Sequence, residues 1–333
     1  MGDDPSRPGI GPADAFQRRH RWAGLPLAVV YKFADDQGGY LTALITYYGF
    51  VSLFPLLLLF TAALGFALQG SPGLQDRVLD SALAQFPVIG DQIASNVHSF
   101  HGSVFGLVIG IAGSVYGGLG VVQAAQNALN QMWAIPRGSR PNPIVSRLKS
   151  LVLLATGGTT VITTSALSAL SANAGAYGGG VRIGAVFVGV ALNIVLFATA
   201  FRVLTARTLT TRQVAVGAVI AAVVWQMFEW TGSLLLGYRL RGATATYGLF
   251  GIVLGLLTWI YLGALTFVVC AEINVVRVER LWPRSLLTPF TDNVSLTPGD
   301  RRAYTSYAET ERHKSFETVE VDFEEPPGPP PDG

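Results

Sequence analysis

The run Val214-Ala-Val-Gly-Ala-Val-Ile-Ala-Ala-Val-Val-Trp225-Gln-Met-Phe-Glu229-Trp-Thr-Gly-Ser-Leu-Leu-Leu236 decides the fold class. At about 1.5 Å per residue, a helix of this length spans a hydrocarbon core of roughly 30 Å. Lipid offers backbone groups no hydrogen-bond partner, so a single run of this kind must be a helix. Working outward, five more apolar runs of comparable length lie at 41–68, 104–122, 151–171, 183–201 and 248–271, none with a charged residue. The expected fold is therefore all-α, a polytopic bundle of six transmembrane helices. The overall composition agrees: half of the 333 residues are apolar and only 13% are charged, against about a quarter in an ordinary soluble domain.

Six spans put both ends of the chain on one side, and the basic residues say which. Nineteen of the 23 Lys and Arg residues fall in the N-terminal segment, the second and fourth loops and the C-terminal segment; Arg77, Arg182, Arg239 and Arg241 fall on the other side. Cytoplasmic loops carry the excess of Lys and Arg, so the expected location is the cytoplasmic membrane with both termini inside. The Arg18-Arg19-His20-Arg21 cluster reads as a cytoplasmic anchor, since no cleavable apolar segment follows it.

Three divisions follow. Residues 1–40 form a cytoplasmic segment in which Leu25, Val29, Val30 and Phe33 repeat at helical spacing, as in an interfacial helix with Lys32 as its cationic tip and a turn at Asp35-Asp36-Gln37-Gly38-Gly39. Residues 41–276 form the membrane domain. Its first outer loop, 69–103, carries two further amphipathic patterns, Leu74/Val78/Ala82/Phe86 and Ile93/Val97/Phe100, which would cap the bundle or act as a lid. Residues 277–333 read as a largely disordered acidic tail, because from Ser285 onward ten acidic residues face four basic ones and the chain ends in prolines.

Few residues within the spans offer chemistry. Glu229 is the one formal charge inside a run, and a carboxylate at the bilayer centre costs on the order of 2.5–3.5 kcal/mol. It must be protonated, paired with Arg182, Arg239 or Arg241, or exposed to water. Gln123, Gln126, Asn127 and Asn130 recur at helical spacing and are expected to share one face near the inner interface. Asn193 is a lone amide in the fourth span, and Glu272 closes the sixth, where Arg277 or Arg202 would neutralise it. Pro55, with Ser52 before it, marks a kink or gate in the long first span. Glycines at four-residue intervals, such as Gly113 and Gly117, suit close helix contact. These residues are the transport-site candidates, and their structural alternative is packing and hydrogen bonding alone.

No phosphate-binding loop, zinc-protease motif, nucleophile elbow or carboxylate cluster is present, so an enzyme is not expected. With a single cysteine, Cys270, and with His98 and His101 joined by no third ligand, neither a metal nor a cofactor is expected.

Three blocks resemble one family. They are Ala43-Leu-Ile-Thr-Tyr47-Tyr48-Gly-Phe-Val-Ser52-Leu-Phe54-Pro55, then Gly117-Gly-Leu-Gly120 through Asn127, Asn130 and Trp133 to Arg140, and Tyr247-Gly248-Leu-Phe-Gly251 through Trp259-Ile-Tyr261 to Ala271-Glu272-Ile-Asn274. This pattern is similar to the YihY/BrkB-type membrane proteins, which include YhjD-like envelope proteins. The resemblance implies a six-helix inner-membrane protein with cytoplasmic termini, and a link to envelope integrity or to export of lipid-linked envelope material. The ribonuclease label once attached to such proteins is not expected to apply. The histidines fall on opposite sides of the membrane, and the acidic tail would repel RNA. The expected function is a transporter or translocator of a lipid-like envelope component, the alternative a membrane scaffold for envelope assembly. Expected partners are membrane lipids or lipid-linked material and a further copy of the chain, with no nucleic acid.

Overall fold

The computed structural model describes residues 12–67, 104–140, 142–172, 178–290, 294–314 and 316–324. Among these the fold is entirely helical: α1 (Pro12–Arg19), α2 (Arg21–Asp35), α3 (Gly38–Ala67), α4 (Val104–Met132), α5 (Pro143–Ala172), α6 (Gly178–Leu204), α7 (Thr211–Glu279) and α8 (Pro298–Thr310). Among the described residues three segments are long and apolar enough to cross a membrane: Ile183–Leu204, Thr211–Thr231 and Val253–Glu279. The expected outer-loop helices of 69–103, with His98 and His101, lie outside the described residues.

The 69-residue α7 covers two expected spans and the loop between them in one helical stretch. Were it straight, Gly217 and Asn274 would stand roughly 85 Å apart at 1.5 Å per residue. Instead the Gly217 N–H donates to Asn274 Oδ1 at 2.8 Å. Farther along, the Phe228 and Trp259 rings lie 5.9 Å apart and Gly263 faces the Trp225 indole. The chain therefore doubles back between Trp230 and Gly251, and α7 is two antiparallel arms. The reversal expected as a loop is made within helical backbone.

α3 and α4 pack antiparallel along a glycine seam. A Cβ on Gly113 would lie 2.7 Å from Pro55 Cβ, one on Gly117 would lie 2.5 Å from Ser52 Cβ, and one on Gly120 would enter the Tyr48 ring. Absent side chains thus set the helix separation, as expected where lipid-like surroundings leave close packing to hold helices together. α3 remains helical through Pro55. α5 packs on α6, and α6 and α3 flank α7.

One end of the bundle is densely packed: Ala128, Leu129, Met132, Phe201, Leu204, Val214, Val268, Val275 and Val276 are all essentially buried. On the outside of the bundle Ile183, Phe187 and Val195 of α6 and Ile144, Leu148 and Val152 of α5 are exposed, the surface of a helix made to meet lipid.

The segment after α7 departs from expectation. Instead of a largely disordered tail from residue 277, the chain leaves α7 through a left-handed Arg280 and crosses α2 by way of residues 281–290. It then forms α8, which opens on a capping box between Thr297 and Asp300. It goes on to the α4–α5 connection, where Arg137 pairs with Glu311 at 2.9 Å and Gly138 leaves space for the His313 carbonyl. Acidic composition suggested disorder, but four of the acidic side chains, Asp300, Glu309, Glu311 and Glu317, belong to this docked region, and Asp300 is fully buried within it.

Candidate functional site: a buried charged cluster at the basic end

The dense end of the bundle gathers α2, the α2–α3 turn, the α4–α5 and α6–α7 connections, the end of α7 and α8. These are the segments that carry most of the basic residues. Three of its enclosed ionisable side chains form one cluster. Lys32 on α2 is 1% exposed and forms an ion pair with Asp36, one helical turn on and 2% exposed; Glu272, on the second arm of α7, is fully buried. The expectation of Lys32 as a cationic tip fails, because α2 turns Gly24, Ala28, Val29 and Lys32 inward and leaves Trp22 and Val30 outside. Burial pushes the Asp36 carboxyl up, against the opposing pull of Lys32. The Lys32 ammonium also lies 4.9 Å from the centre of the Tyr307 ring.

Beside this cluster Arg284 is a second centre. Its Nε donates to Asp300 Oδ1 at 2.5 Å and its Nη2 to Asp35 Oδ2 at 3.0 Å. Tyr31 and Tyr304 flank the guanidinium. Burial disfavours the charge on Arg284, but Asp35 and Asp300 outweigh it and hold the guanidinium pKa above its ordinary value. Asp300 Oδ2 also accepts from the Ser285 and Thr297 N–H groups, at 3.0 and 2.9 Å. The Tyr307 hydroxyl donates to Asp35 at 2.9 Å, and burial pushes that phenol up. The first two helices close the assembly: Gln17 Nε2 of α1 donates to the Arg284 carbonyl at 2.5 Å and the Tyr31 hydroxyl of α2 to that of Leu286 at 2.9 Å.

The structure brings only part of the expected set together. Glu272 belongs to this cluster; its neighbours are Asp36 and Lys32, while Arg202, expected to neutralise it, donates to the Leu209 carbonyl. The four amides of α4 do not share an environment. They span about 100° of the helix circumference, and the edge of the packed face divides that arc: Gln126 and Asn130 are buried, Gln123 and Asn127 exposed. Gln126 donates to the Ser146 carbonyl at 3.0 Å, Asn130 accepts from the Ala206 N–H at 2.8 Å, and Asn127 accepts from Arg140. Those three are bonded as connectors between segments. Asn193 is buried on α6, and Ser52 and Pro55 form the surface that receives the α4 glycines.

Glu229 stands apart, half-buried on the first arm of α7. Its oxygens accept from Trp225 Nε1 at 2.9 Å and Gln226 Nε2 at 2.8 Å, both on its own helix. The side chains of Arg182, Arg239 and Arg241 lie outside the described residues. Sequence reasoning missed Arg284, Asp300 and Asp36. The capping box at Thr297–Asp300 is visible as a motif, but nothing local announces a buried arginine.

Long apolar helices, a lipid-facing surface and a charged cluster at the basic end define an all-helical membrane protein. The chain belongs to the Virulence factor BrkB family, whose pattern matches residues 29–289. That match takes in the last turns of α2, all of α3 to α7, the segment bearing Arg284, and every expected site residue. No curated protein and no solved structure matches the chain.

Proposed function

We propose that this protein is a six-span cytoplasmic-membrane translocator of a lipid-like envelope component, with both termini cytoplasmic and no enzymatic step. α3, α4 and α5, of 30, 29 and 30 residues, have the length to join the three apolar segments as spans. Gathering the basic connections at one end favours that end as the cytoplasmic one. The observation that carries the transport reading is Glu229. Among the described residues its oxygens meet only neutral donors of its own helix, Trp225 and Gln226, and no cation pairs with it. A carboxyl group held in this way near the outer end of the apolar segment Thr211–Thr231 is placed to meet a polar headgroup moving past it.

The test is reconstitution into liposomes with headgroup-labelled phospholipids, following label accessibility from outside. Movement above that of empty liposomes, lost or reduced at least tenfold in Glu229→Gln, supports translocation; wild type indistinguishable from empty liposomes across several lipids and an imposed proton gradient rejects it.

A second reading, a scaffold for envelope assembly, is favoured by the docked cytoplasmic assembly of α1, α2, residues 281–290 and α8. On that reading Glu229→Gln is silent, and deletion of the C-terminal tail abolishes function.

A further inference from the structure

We propose that the Asp36–Glu272 pair holds one exchangeable proton at the basic end of the bundle, with Lys32 as its fixed counter-charge. Glu272 is fully buried, and neither of its oxygens receives a hydrogen bond from an N–H or O–H group. The polar group it meets is the Asp36 carboxyl, itself 2% exposed. Ionised carboxylates are acceptors only, so two of them in contact can bond only when a proton lies between them. Without that proton, two like charges would face each other in a medium that screens poorly.

The surrounding charges leave this carboxyl pair one cation. From α2, Lys32 is bound to Asp36, and Asp35 is taken by Arg284 and Tyr307. Arg284 is further committed to Asp300. From α8, Tyr307 presents its ring to Lys32, while its hydroxyl is given to Asp35. From α4, Gln131 reaches the Asp36 backbone carbonyl at 2.9 Å and leaves the side chain alone. On the second arm of α7, Arg277 stands about 140° round the helix from Glu272, and Glu279 pairs with Arg207 at 2.8 Å.

Lys32, Asp36 and Glu272 therefore sum to one negative charge with both carboxyls ionised and to zero with one proton bound. Lys32 already neutralises one of the two carboxyls, and the remaining carboxyl-to-carboxyl contact is one that a single proton bridges. Its presence decides whether the α2–α3 turn and the second arm of α7 attract or repel, which makes the pair a link between the interfacial helix and the membrane arms. The proton site involves no cargo, so it holds or fails independently of translocation.

The test is infrared difference spectroscopy on the full-length protein in lipid nanodiscs. The expected result is a protonated-carboxyl C=O band at neutral pH that shifts in heavy water, disappears in Glu272→Gln, changes in Asp36→Asn and persists in Glu229→Gln. A wild-type protein without such a band, or a Glu272→Gln protein that retains it unchanged, overturns the proposal. Should Glu272→Gln fail to fold, Glu272→Asp serves: a shifted band supports the assignment and an unshifted one overturns it. The wild-type measurement in heavy water needs no variant at all.

Discussion

Arg284 shows how much of the cytoplasmic assembly depends on a single side chain. It is 1% exposed and bridges Asp35, at the end of α2, to Asp300, in the first turn of α8. Removing one partner of a buried ion pair leaves an uncompensated charge, at about 3–5 kcal/mol. Arg284→Gln should therefore lower stability by that order, read as a drop in thermal midpoint in detergent. Arg21→Gln, which removes only a stacking contact on Trp282, should cost under about 1 kcal/mol. At the far end of the docked tail, Glu317 accepts from the His313 and Lys314 N–H groups at 2.8 and 3.1 Å, and these donors hold its carboxyl below the usual glutamate range. A carboxyl lowered in the folded state contributes order above its unfolded pKa and loses it as pH falls through the folded value. Amide exchange at His313 and Lys314, compared with the intrinsic rate at each pH, should quicken in that acidic window, and Glu317→Gln should remove the pH step.

Among the helices, the α3–α4 seam is where sequence and structure meet most directly. The four-residue spacing of Gly113 and Gly117 marks a small-residue ridge, and their faces receive Pro55 and Ser52. Gly117→Leu would drive a side chain into the Ser52 backbone, so we expect a loss of about 1–3 kcal/mol or more. Gly158→Leu, with nothing within 4 Å of its Cβ position, should be tolerated in the same thermal assay. α4 also shows the limit of such reading. A helical wheel places Gln123, Gln126, Asn127 and Asn130 on one arc, but only the packed neighbours decide where the buried boundary cuts it. α2 repeats the lesson: its amphipathic rhythm is legible, but Lys32 faces inward because Asp36 and Glu272 are there to meet it.

For the whole molecule, the gathering of basic connections at one end predicts a shared accessibility. Cys270 is buried, so the wild-type protein should resist maleimide under native conditions. In a Cys270→Ala background, single cysteines introduced at Arg137 and at Arg312 should label from the same side of sealed vesicles. A cysteine at Arg241 should label from the opposite side. Labelling of Arg137 and Arg312 positions from opposite sides would contradict the packing of the tail on the α4–α5 connection.

The amino-acid sequence alone determined that the chain is helical, that it carries apolar helices of membrane length and that it is of the BrkB type. These follow from local properties, namely the length and apolarity of runs, their spacing and short motifs, which any neighbourhood would preserve. Tertiary structure decided that residues 211–279 fold back as two antiparallel arms within helical backbone, that the segment around α8 docks with Asp300 buried, and that Lys32, Asp36 and Glu272 share one enclosed site. Each of these depends on partners far apart in the chain: Gly217 with Asn274, Arg284 with Asp35, Asp36 with Glu272. The worth of a buried charge is set by what stands opposite it, and that is written in the packing of the helices.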